Sequence, residues 1–136
     1  MKKLYLTLLL FSFALSAIAP NNDSLVIIES PAVEPFSKLI YAVGMVEGMG
    51  DTTAYNPQEK AIGYFQIRPI RLLDYNRRTG NHYAMRDMYN YEISEKVFLY
   101  YASQAGPYNF EKIAKNWNGS GAKTALYWKR IRQYLL

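Results

Sequence analysis

Apolar residues recur at helical spacing in five stretches of the chain. In the first stretch the steps are 3, 1, 3 and 4, so one helix face is expected to carry Phe36, Leu39, Ile40, Val43 and Glu47. Glycine and proline residues punctuate the intervals between the stretches. The predicted helices span residues 35–47, 69–76, 91–104, 110–117 and 124–134.

The intervals between these helices are expected to be loops with little β-structure. Residues 51–59 form one loop, in which Asn56-Pro57 fixes a turn. Residues 77–89 form a second, polar loop, and a brief extended piece is expected near residues 64–67. The pattern therefore predicts a small, mainly α domain with long loops and at most a short extended segment.

The first 19 residues have the features of an export signal peptide. Two lysines precede an apolar stretch over residues 4–18, and a small-residue cleavage pattern ends at Ala19. Cleavage after Ser16 is an alternative, because Pro20 directly follows the first candidate site. An uncleaved anchor is a second alternative, although 15 apolar residues are short for a membrane-spanning helix.

The organisation expected from these signals is a signal peptide over residues 1–19, a linker over 20–34 and one domain over 35–136. The mature chain is then exported to the periplasm or the extracellular space, with no stable membrane span after cleavage.

Composition and charge narrow the classes of function. The chain is 50% hydrophobic and has no cysteine, so it has neither a disulfide framework nor a cysteine lipid anchor. Its formal charge of +5 becomes +3 once the two signal lysines are removed, a mild attraction for acidic polymers such as wall glycans. No dense basic run indicates nucleic acid. The 13 tyrosines suit a sugar-binding cleft as well as a core.

Glu47 is the residue in the first helix whose chemistry does not fit its neighbours. It shares a face with apolar residues, and a carboxyl buried there holds its proton more tightly. A carboxylic acid that stays protonated near neutral pH can act as the general acid in glycoside cleavage. The alternative is a helix-end glutamate that points to solvent or pairs with an arginine.

The order of motifs resembles the lytic transglycosylase family of the lysozyme superfamily, roughly from Phe36 to Tyr134. That family has a catalytic Glu at a helix end, an Asn-Pro turn, an Ala-x-Gly-x-x-Gln segment, a Tyr-Asn-Ala-Gly-like element and late tyrosines. The matching residues here are Glu47, Asn56-Pro57, Ala61 to Ile67 with Pro69, Asn116 to Gly121, and Tyr127 with Tyr134. The resemblance implies a small lysozyme-like helical domain whose long loops form a cleft.

Two positions depart from the family pattern. Gly48 stands where relatives usually have a serine that helps to orient substrate, which leaves specificity open. Trp117 replaces the tyrosine of the Tyr-Asn element and removes a hydroxyl from that place.

The resemblance also implies a substrate-binding set around Glu47. Gly63 either lets the backbone approach a sugar or simply makes a turn. Gln66 and Asn118 each bind either an N-acetyl group or a loop backbone. The expected substrate-binding residues are Gly63, Tyr64, Gln66, Tyr101, Trp117, Asn118 and Tyr127.

Aromatic residues leave two assignments open. One of Tyr64 and Phe65 is expected to be a cleft wall and the other a core residue. In relatives a late tyrosine lies close to the acid; Tyr127 is favoured for this place, and Tyr101 competes with it.

Other polar residues complete the prediction. Asp51 and Glu59 are candidates for a second carboxylate, but no motif demands either, and relatives work with one acid. The single histidine, His82, has no second histidine or cysteine with which to bind a metal and is expected at the surface. No cofactor or metal is expected.

The expected function is cleavage of the β-1,4 bond between N-acetylmuramic acid and N-acetylglucosamine in peptidoglycan, with one glutamate as acid and base and 1,6-anhydromuramic products. The alternatives are a hydrolysing lysozyme, an inactive peptidoglycan-binding module, and an interaction protein of the envelope. The expected partners are peptidoglycan glycan strands, with an envelope-assembly protein as a further candidate.

Overall fold

A computed structural model of the chain describes residues 35–136. The signal peptide and linker predicted over residues 1–34 lie outside the described residues. Within residues 35–136, no helix has the length and apolar character needed to cross a lipid bilayer.

The described part of the chain is mainly helical, as predicted. Five α-helices and one short 3-10 helix accompany a two-stranded antiparallel sheet. In chain order the elements are α1 (Ser37–Glu47), β1 (Tyr55–Asn56), β2 (Ala61–Ile62), α2 (Pro69–Thr79), the 3-10 helix (Met85–Tyr89), α3 (Tyr91–Ser103), α4 (Phe110–Asn118) and α5 (Lys123–Arg132).

The prediction of a polar loop over residues 77–89 is wrong at both ends, where the chain is helical. Helix α2 continues to Thr79 and ends at Gly80, which takes the left-handed conformation with φ of 73°. Arg78 supports this last turn, because it pairs with Asp74 one helical turn earlier. The end of the predicted loop forms the 3-10 helix.

The extended piece predicted near residues 64–67 is also displaced. The paired strand is β2, whose partner β1 lies in the stretch predicted to be a loop. Residues 63–66 form a turn instead, because Gly63 and Gln66 have positive φ of 78° and 48°. After that turn, Ile67 pairs back with Ile62.

The core holds α1 in place and thereby positions its last residue. Leu39, Ile40 and Val43 are buried, so the predicted core face of α1 is confirmed. Helix α1 packs against α5, which in turn packs against α4. Phe65 is fully buried and stacks on Phe98 of α3, with ring centroids 4.9 Å apart. The turn that follows β2 is thus fixed beside the end of α1.

Candidate active site

Glu47 is the last residue of α1 and lies where the chain turns sharply. The turn begins at Gly48, which is buried, and a Cβ there would lie 2.9 Å from the carbonyl oxygen of Tyr64 and 3.2 Å from that of Asp51. Backbone atoms cannot move aside as a side-chain tip can. The glycine that departs from the family pattern is therefore required by close backbone packing around the carboxylate.

Tyr127 of α5 is the direct partner of Glu47. Its hydroxyl donates a hydrogen bond of 2.8 Å to Oε1 of Glu47, and its side chain is only 6% exposed. Of the two tyrosines that the sequence left in competition, Tyr127 is the one beside the acid. Arg130, one turn further along α5, donates to the carbonyl oxygen of Val46 and so ties the same two helices together.

Burial raises the pKa of the Glu47 carboxyl from its ordinary value of 4.5 to about 7. The hydrogen bond from Tyr127 and the positive charge of Arg68 both lower this pKa, but by less than burial raises it. The negative charge of Glu59 adds to the rise. Glu47 is therefore divided between its acid and carboxylate forms near neutral pH, the property required of a group that first gives and then takes a proton.

The hydrogen bond also decides which oxygen carries the acidic proton. Burial and the neighbouring Glu47 raise the pKa of the Tyr127 hydroxyl well above its ordinary value, so Tyr127 stays neutral and remains a donor. Because Oε1 accepts that bond, the proton of the acid form lies on Oε2. One carboxyl oxygen is held by the protein, and the other is left for chemistry.

A cavity of about 420 Å³ opens on one side of Glu47, and we call it the large cavity. This volume is within the range of roughly 300–1,000 Å³ that is usual for ligand pockets. Two exposed apolar side chains border it, Met49 (84% exposed) and Tyr55 (53% exposed). Its lining consists of Glu47, Gly48, Met49, Ala54, Tyr55, Asn56, Pro57, Gln58 and Gln66.

Backbone strain is concentrated at this cavity. Among residues 35–136, three non-glycine residues have positive φ, and two of them, Met49 and Gln66, line the large cavity. Such conformations cost free energy and cluster at functional sites.

A second cavity of about 80 Å³ also borders Glu47, and we call it the arginine pocket. All but one of its lining side chains are charged or carry an amide. The lining consists of Glu47, Glu59, Gln66, Arg68, Arg71, Trp117 and Asn118. Glu47 and Gln66 line both cavities.

Gln66 fills one of the two roles that the sequence left open, because its side chain bonds to the loop backbone. Its Nε2 donates to the carbonyl oxygens of Gly63, at 3.0 Å, and Ala54, at 3.3 Å, and these bonds fix the loop. Its Oε1 accepts no hydrogen bond from the described residues. The side chain is thus anchored through its nitrogen and presents a carbonyl oxygen at the junction of the two cavities.

Three of the predicted substrate-binding residues lie outside both cavities. Gly63 is buried, and a Cβ there would lie 2.2 Å from the carbonyl oxygen of Met88, so this glycine serves a tight turn rather than a sugar. The ring of Tyr64 lies over Gly44 of α1, in the space that a side chain there would occupy. Tyr101 donates to Asp74 at 2.9 Å, away from Glu47.

Trp117 and Asn118 both border the arginine pocket. Trp117 is only 5% exposed, so most of its indole belongs to the core. Asn118 lies at the end of α4, where its Nδ2 is 3.5 Å from Oγ1 of Thr124. These two residues therefore line the same pocket as Glu47.

Arg68 and Arg71 line the arginine pocket but were not predicted as site residues. Arg71 is held by the aromatic rings of Trp117 and Tyr101, at 4.4 Å and 4.8 Å from their centroids. It also donates to the carbonyl oxygen of Trp117 at 2.9 Å. In the sequence Arg71 stands one turn before Asp74, a spacing typical of exposed ion pairs, so no local signal distinguished it.

The two candidate second carboxylates differ in position. Asp51 accepts hydrogen bonds from the backbone and hydroxyl of Thr53, which lower its pKa, and it lines neither cavity. Glu59 lines the arginine pocket and faces Arg68 at 3.9 Å.

The described residues provide no metal centre. No group of three or more histidine, cysteine, aspartate or glutamate side chains within residues 35–136 is placed to hold a metal ion. His82 is exposed at the surface, as predicted.

Comparison with known proteins adds no family. No protein-family model matches the chain, and neither a curated protein nor a solved structure matches it. The case for a function therefore depends on the geometry around Glu47.

Proposed function

We propose that this protein is an exported enzyme that cleaves the β-1,4 glycosidic bond between N-acetylmuramic acid and N-acetylglucosamine in peptidoglycan. The observation that carries the proposal is Glu47 itself. It has a pKa of about 7, one oxygen held by Tyr127, and a place in the lining of two cavities. This combination suits a single group that acts as acid and then as base.

In the first step Glu47 acts as the general acid. The proton on Oε2 passes to the glycosidic oxygen as the bond from that oxygen to C1 of the muramic residue breaks. The leaving sugar departs as an alcohol, and positive charge develops at C1. Glu47 becomes a carboxylate, whose negative charge is stabilised by the Tyr127 hydroxyl and by nearby Arg68.

In the second step the same carboxylate acts as the base. It takes the proton from the 6-hydroxyl of the muramic residue, whose oxygen forms a bond to C1. The product has a 1,6-anhydro ring, no water is consumed, and Glu47 is returned to its acid form. A pKa close to the working pH suits both directions of transfer.

The two cavities suit a polymer rather than a small isolated ligand. A strand crossing Glu47 would place one sugar in the large cavity, beside the exposed ring of Tyr55, and another at the arginine pocket. The carbonyl oxygen of Gln66 is placed to accept a bond from an N–H or hydroxyl of the strand.

The test is a digest of purified peptidoglycan by the wild type and by Glu47→Gln, with products read by mass spectrometry. We expect soluble fragments with 1,6-anhydromuramic ends from the wild type and none from the variant. If neither protein releases soluble product from walls of several sources across a range of pH, the proposal fails. A binding module is then the better description, and pulldown with insoluble peptidoglycan tests it.

Hydrolysis is the second candidate function, and the position of Glu59 is the observation that favours it. Glu59 borders the same small pocket as Glu47, so a second carboxylate is available on that side. Reducing ends in the wild-type digest, lost in Glu59→Gln, would establish a lysozyme-type reaction. Anhydro ends that persist in Glu59→Gln would exclude it.

A further inference from the structure

Arg71 is a partly buried cation that forms no contact ion pair among the described residues; Glu47 and Asp74 act on its charge only from beyond ion-pair distance. Its Nη2 donates to the carbonyl oxygen of Trp117, whereas Nε and Nη1 make no hydrogen bond within residues 35–136. Arginine stays protonated at any working pH. A guanidinium in this setting has free donors and no carboxylate in contact with it, so it can donate a charge-assisted hydrogen bond to a bound anion.

The guanidinium is also fixed in orientation. The rings of Trp117 and Tyr101 and the carbonyl oxygen of Trp117 together hold it against the wall of the arginine pocket. A planar guanidinium whose donors are held in place matches the geometry of a carboxylate. Fixing it before binding reduces the entropy that a ligand must overcome.

Arg68 provides a second cation on the same pocket. Its only ion pair among the described residues is the contact with Glu59 at 3.9 Å, and both side chains are more than one-third exposed. Such a long, solvated pair is weak. An incoming carboxylate can therefore draw Arg68 away from Glu59 at little cost.

The pocket is small and adjoins the acid. At about 80 Å³ it has room for a carboxylate or a group of similar size but not for a peptide. Because Glu47 forms part of its wall, a group bound there belongs to a sugar next to the scissile bond.

We propose that the arginine pocket binds a carboxylate carried by the muramic residue next to the cleaved bond, and that it thereby selects peptidoglycan over neutral glycans of the same backbone. The carboxylate is either that of the lactyl ether, where no peptide is attached, or one from the attached peptide stem. This inference rests on the proposed function, since it names the substrate feature that the same site recognises.

The test measures binding of three tetrasaccharides to Glu47→Gln, so that no probe is cleaved. The probes are a neutral N-acetylglucosamine tetramer, an alternating muramic tetrasaccharide with free lactyl carboxylates, and the same tetrasaccharide with peptide stems. We expect at least one carboxylate-bearing probe to bind about tenfold or more tightly than the neutral one. Preference for the second probe identifies the lactyl group, and preference for the third identifies the stem.

The arginine variants are made in the same background. Arg71→Gln and Arg68→Gln should each remove about tenfold to a hundredfold of the affinity for the preferred probe, with a much smaller loss for the neutral tetramer, which brings no carboxylate to the pocket. Arg77→Gln is the matched control, since Arg77 is on the same helix but its side chain is 76% exposed and lines neither cavity. It should bind all three probes as the parent does.

Three outcomes would overturn the inference. The first is equal affinity for neutral and carboxylate-bearing probes, which leaves the proposed function standing. The second is an equal loss for every probe in the arginine variants, which makes the arginines structural. The third is no binding of any probe, which removes the proposed function as well. Arg68→Gln decides the matter if thermal unfolding shows that Arg71→Gln does not fold, because the Arg68 side chain is 37% exposed and its only ion pair among the described residues is the long contact with Glu59.

Discussion

Two carboxylates in this protein each accept a hydrogen bond from a tyrosine, yet their pKa values are shifted in opposite directions. Tyr127 donates to Glu47 at 2.8 Å, and Tyr101 donates to Asp74 at 2.9 Å. The pKa of Glu47 is raised to about 7, whereas the pKa of Asp74 is lowered to about 2. The tyrosine bond is nearly the same in the two places, so it does not set the difference.

The surroundings of the two pairs explain the contrast. Asp74 faces solvent from α2 and is bonded by Arg78 and Arg77 as well as by Tyr101, and all three lower its pKa. Glu47 is partly buried at the end of α1, against Tyr127 of α5, and the rise in pKa from its desolvation exceeds the lowering by its stabilising contacts. The same tyrosine–carboxylate hydrogen bond therefore accompanies a lowered pKa where arginines also bond the carboxylate, and a raised pKa where burial dominates.

The largest contrast is expected in activity. Glu47→Gln should lower the rate of peptidoglycan cleavage by about 10²- to 10⁴-fold, because the variant has no proton to donate. Asp74→Asn, which breaks the other pair, should stay within about twofold of the wild type. Soluble fragment release per hour measures both. Equal losses in the two variants would mean that the comparison misidentifies the acid.

The second contrast is in stability against pH. The pKa of Glu47 is higher in the folded chain than its ordinary 4.5, so its effect on stability is absent at low pH. The penalty grows as pH rises from about 4.5 to about 7 and amounts to about 3 kcal/mol above that range. Glu47→Gln removes the penalty, so the variant should be more stable than the wild type at pH 8 by about 1–3 kcal/mol and nearly equal at pH 4. Urea unfolding at the two pH values measures it.

Asp74→Asn should show the opposite dependence. The pKa of Asp74 is depressed in the folded chain, so its contribution is present at neutral pH and is lost as pH falls through about 2. The variant should therefore be less stable than the wild type at pH 7, with the deficit shrinking in acid. A deficit that is the same at every pH would show that packing, rather than ionisation, is responsible.

The glycines that follow the two helices provide a third contrast. Gly48→Ala places a Cβ 2.9 Å from a backbone oxygen directly after Glu47, and should cost about 1–3 kcal/mol together with much of the activity. Gly80→Ala meets open space but keeps φ of 73°, and should cost about 1–2 kcal/mol with activity retained. Thermal unfolding and fragment release at a temperature where both variants are folded separate the two effects.

The smallest contrast is expected in the pH dependence of kcat/KM, between variants of the two tyrosines. Tyr127→Phe removes a hydrogen bond that lowers the pKa of Glu47, so the alkaline limb of kcat/KM should move upward from about 7. Tyr101→Phe should leave that limb in place, since Tyr101 contacts Asp74 instead. Movement of the limb in Tyr101→Phe, or none in Tyr127→Phe, would contradict the assignment.

Helices with a clear apolar period could be predicted from the sequence. The core face of α1 and the start of α2 at Pro69 follow from spacing and from proline chemistry, and both are observed. The two-residue strands could not be predicted, because pairing between Tyr55 and Ile62 leaves no periodic signal. The end of α2 was missed because Arg77 to Thr79 are polar, and their helical state depends on the pairing with Asp74.

The candidate site likewise has a part that the local sequence pattern predicts and a part that depends on contacts between distant residues. Glu47 was identified because a carboxyl on an apolar face conflicts with its surroundings. The contacts around Glu47 could not be predicted from the sequence. Tyr127 is 80 residues away in the chain, and only the folded structure shows which of the tyrosines contacts Glu47. Arg71 was missed for the same reason, because the rings that hold it come from α3 and α4.

The distance in sequence between Glu47 and Tyr127 determines the stage of folding at which the pKa of Glu47 is raised. During synthesis α1 emerges early, but the hydroxyl that holds Oε1 belongs to the last helix. Until α5 docks, Glu47 is an ordinary solvated glutamate with an ordinary affinity for its proton. An unfolded chain therefore carries no carboxyl with so high a pKa at position 47, and the environment of the proposed acid is completed only when α5 docks.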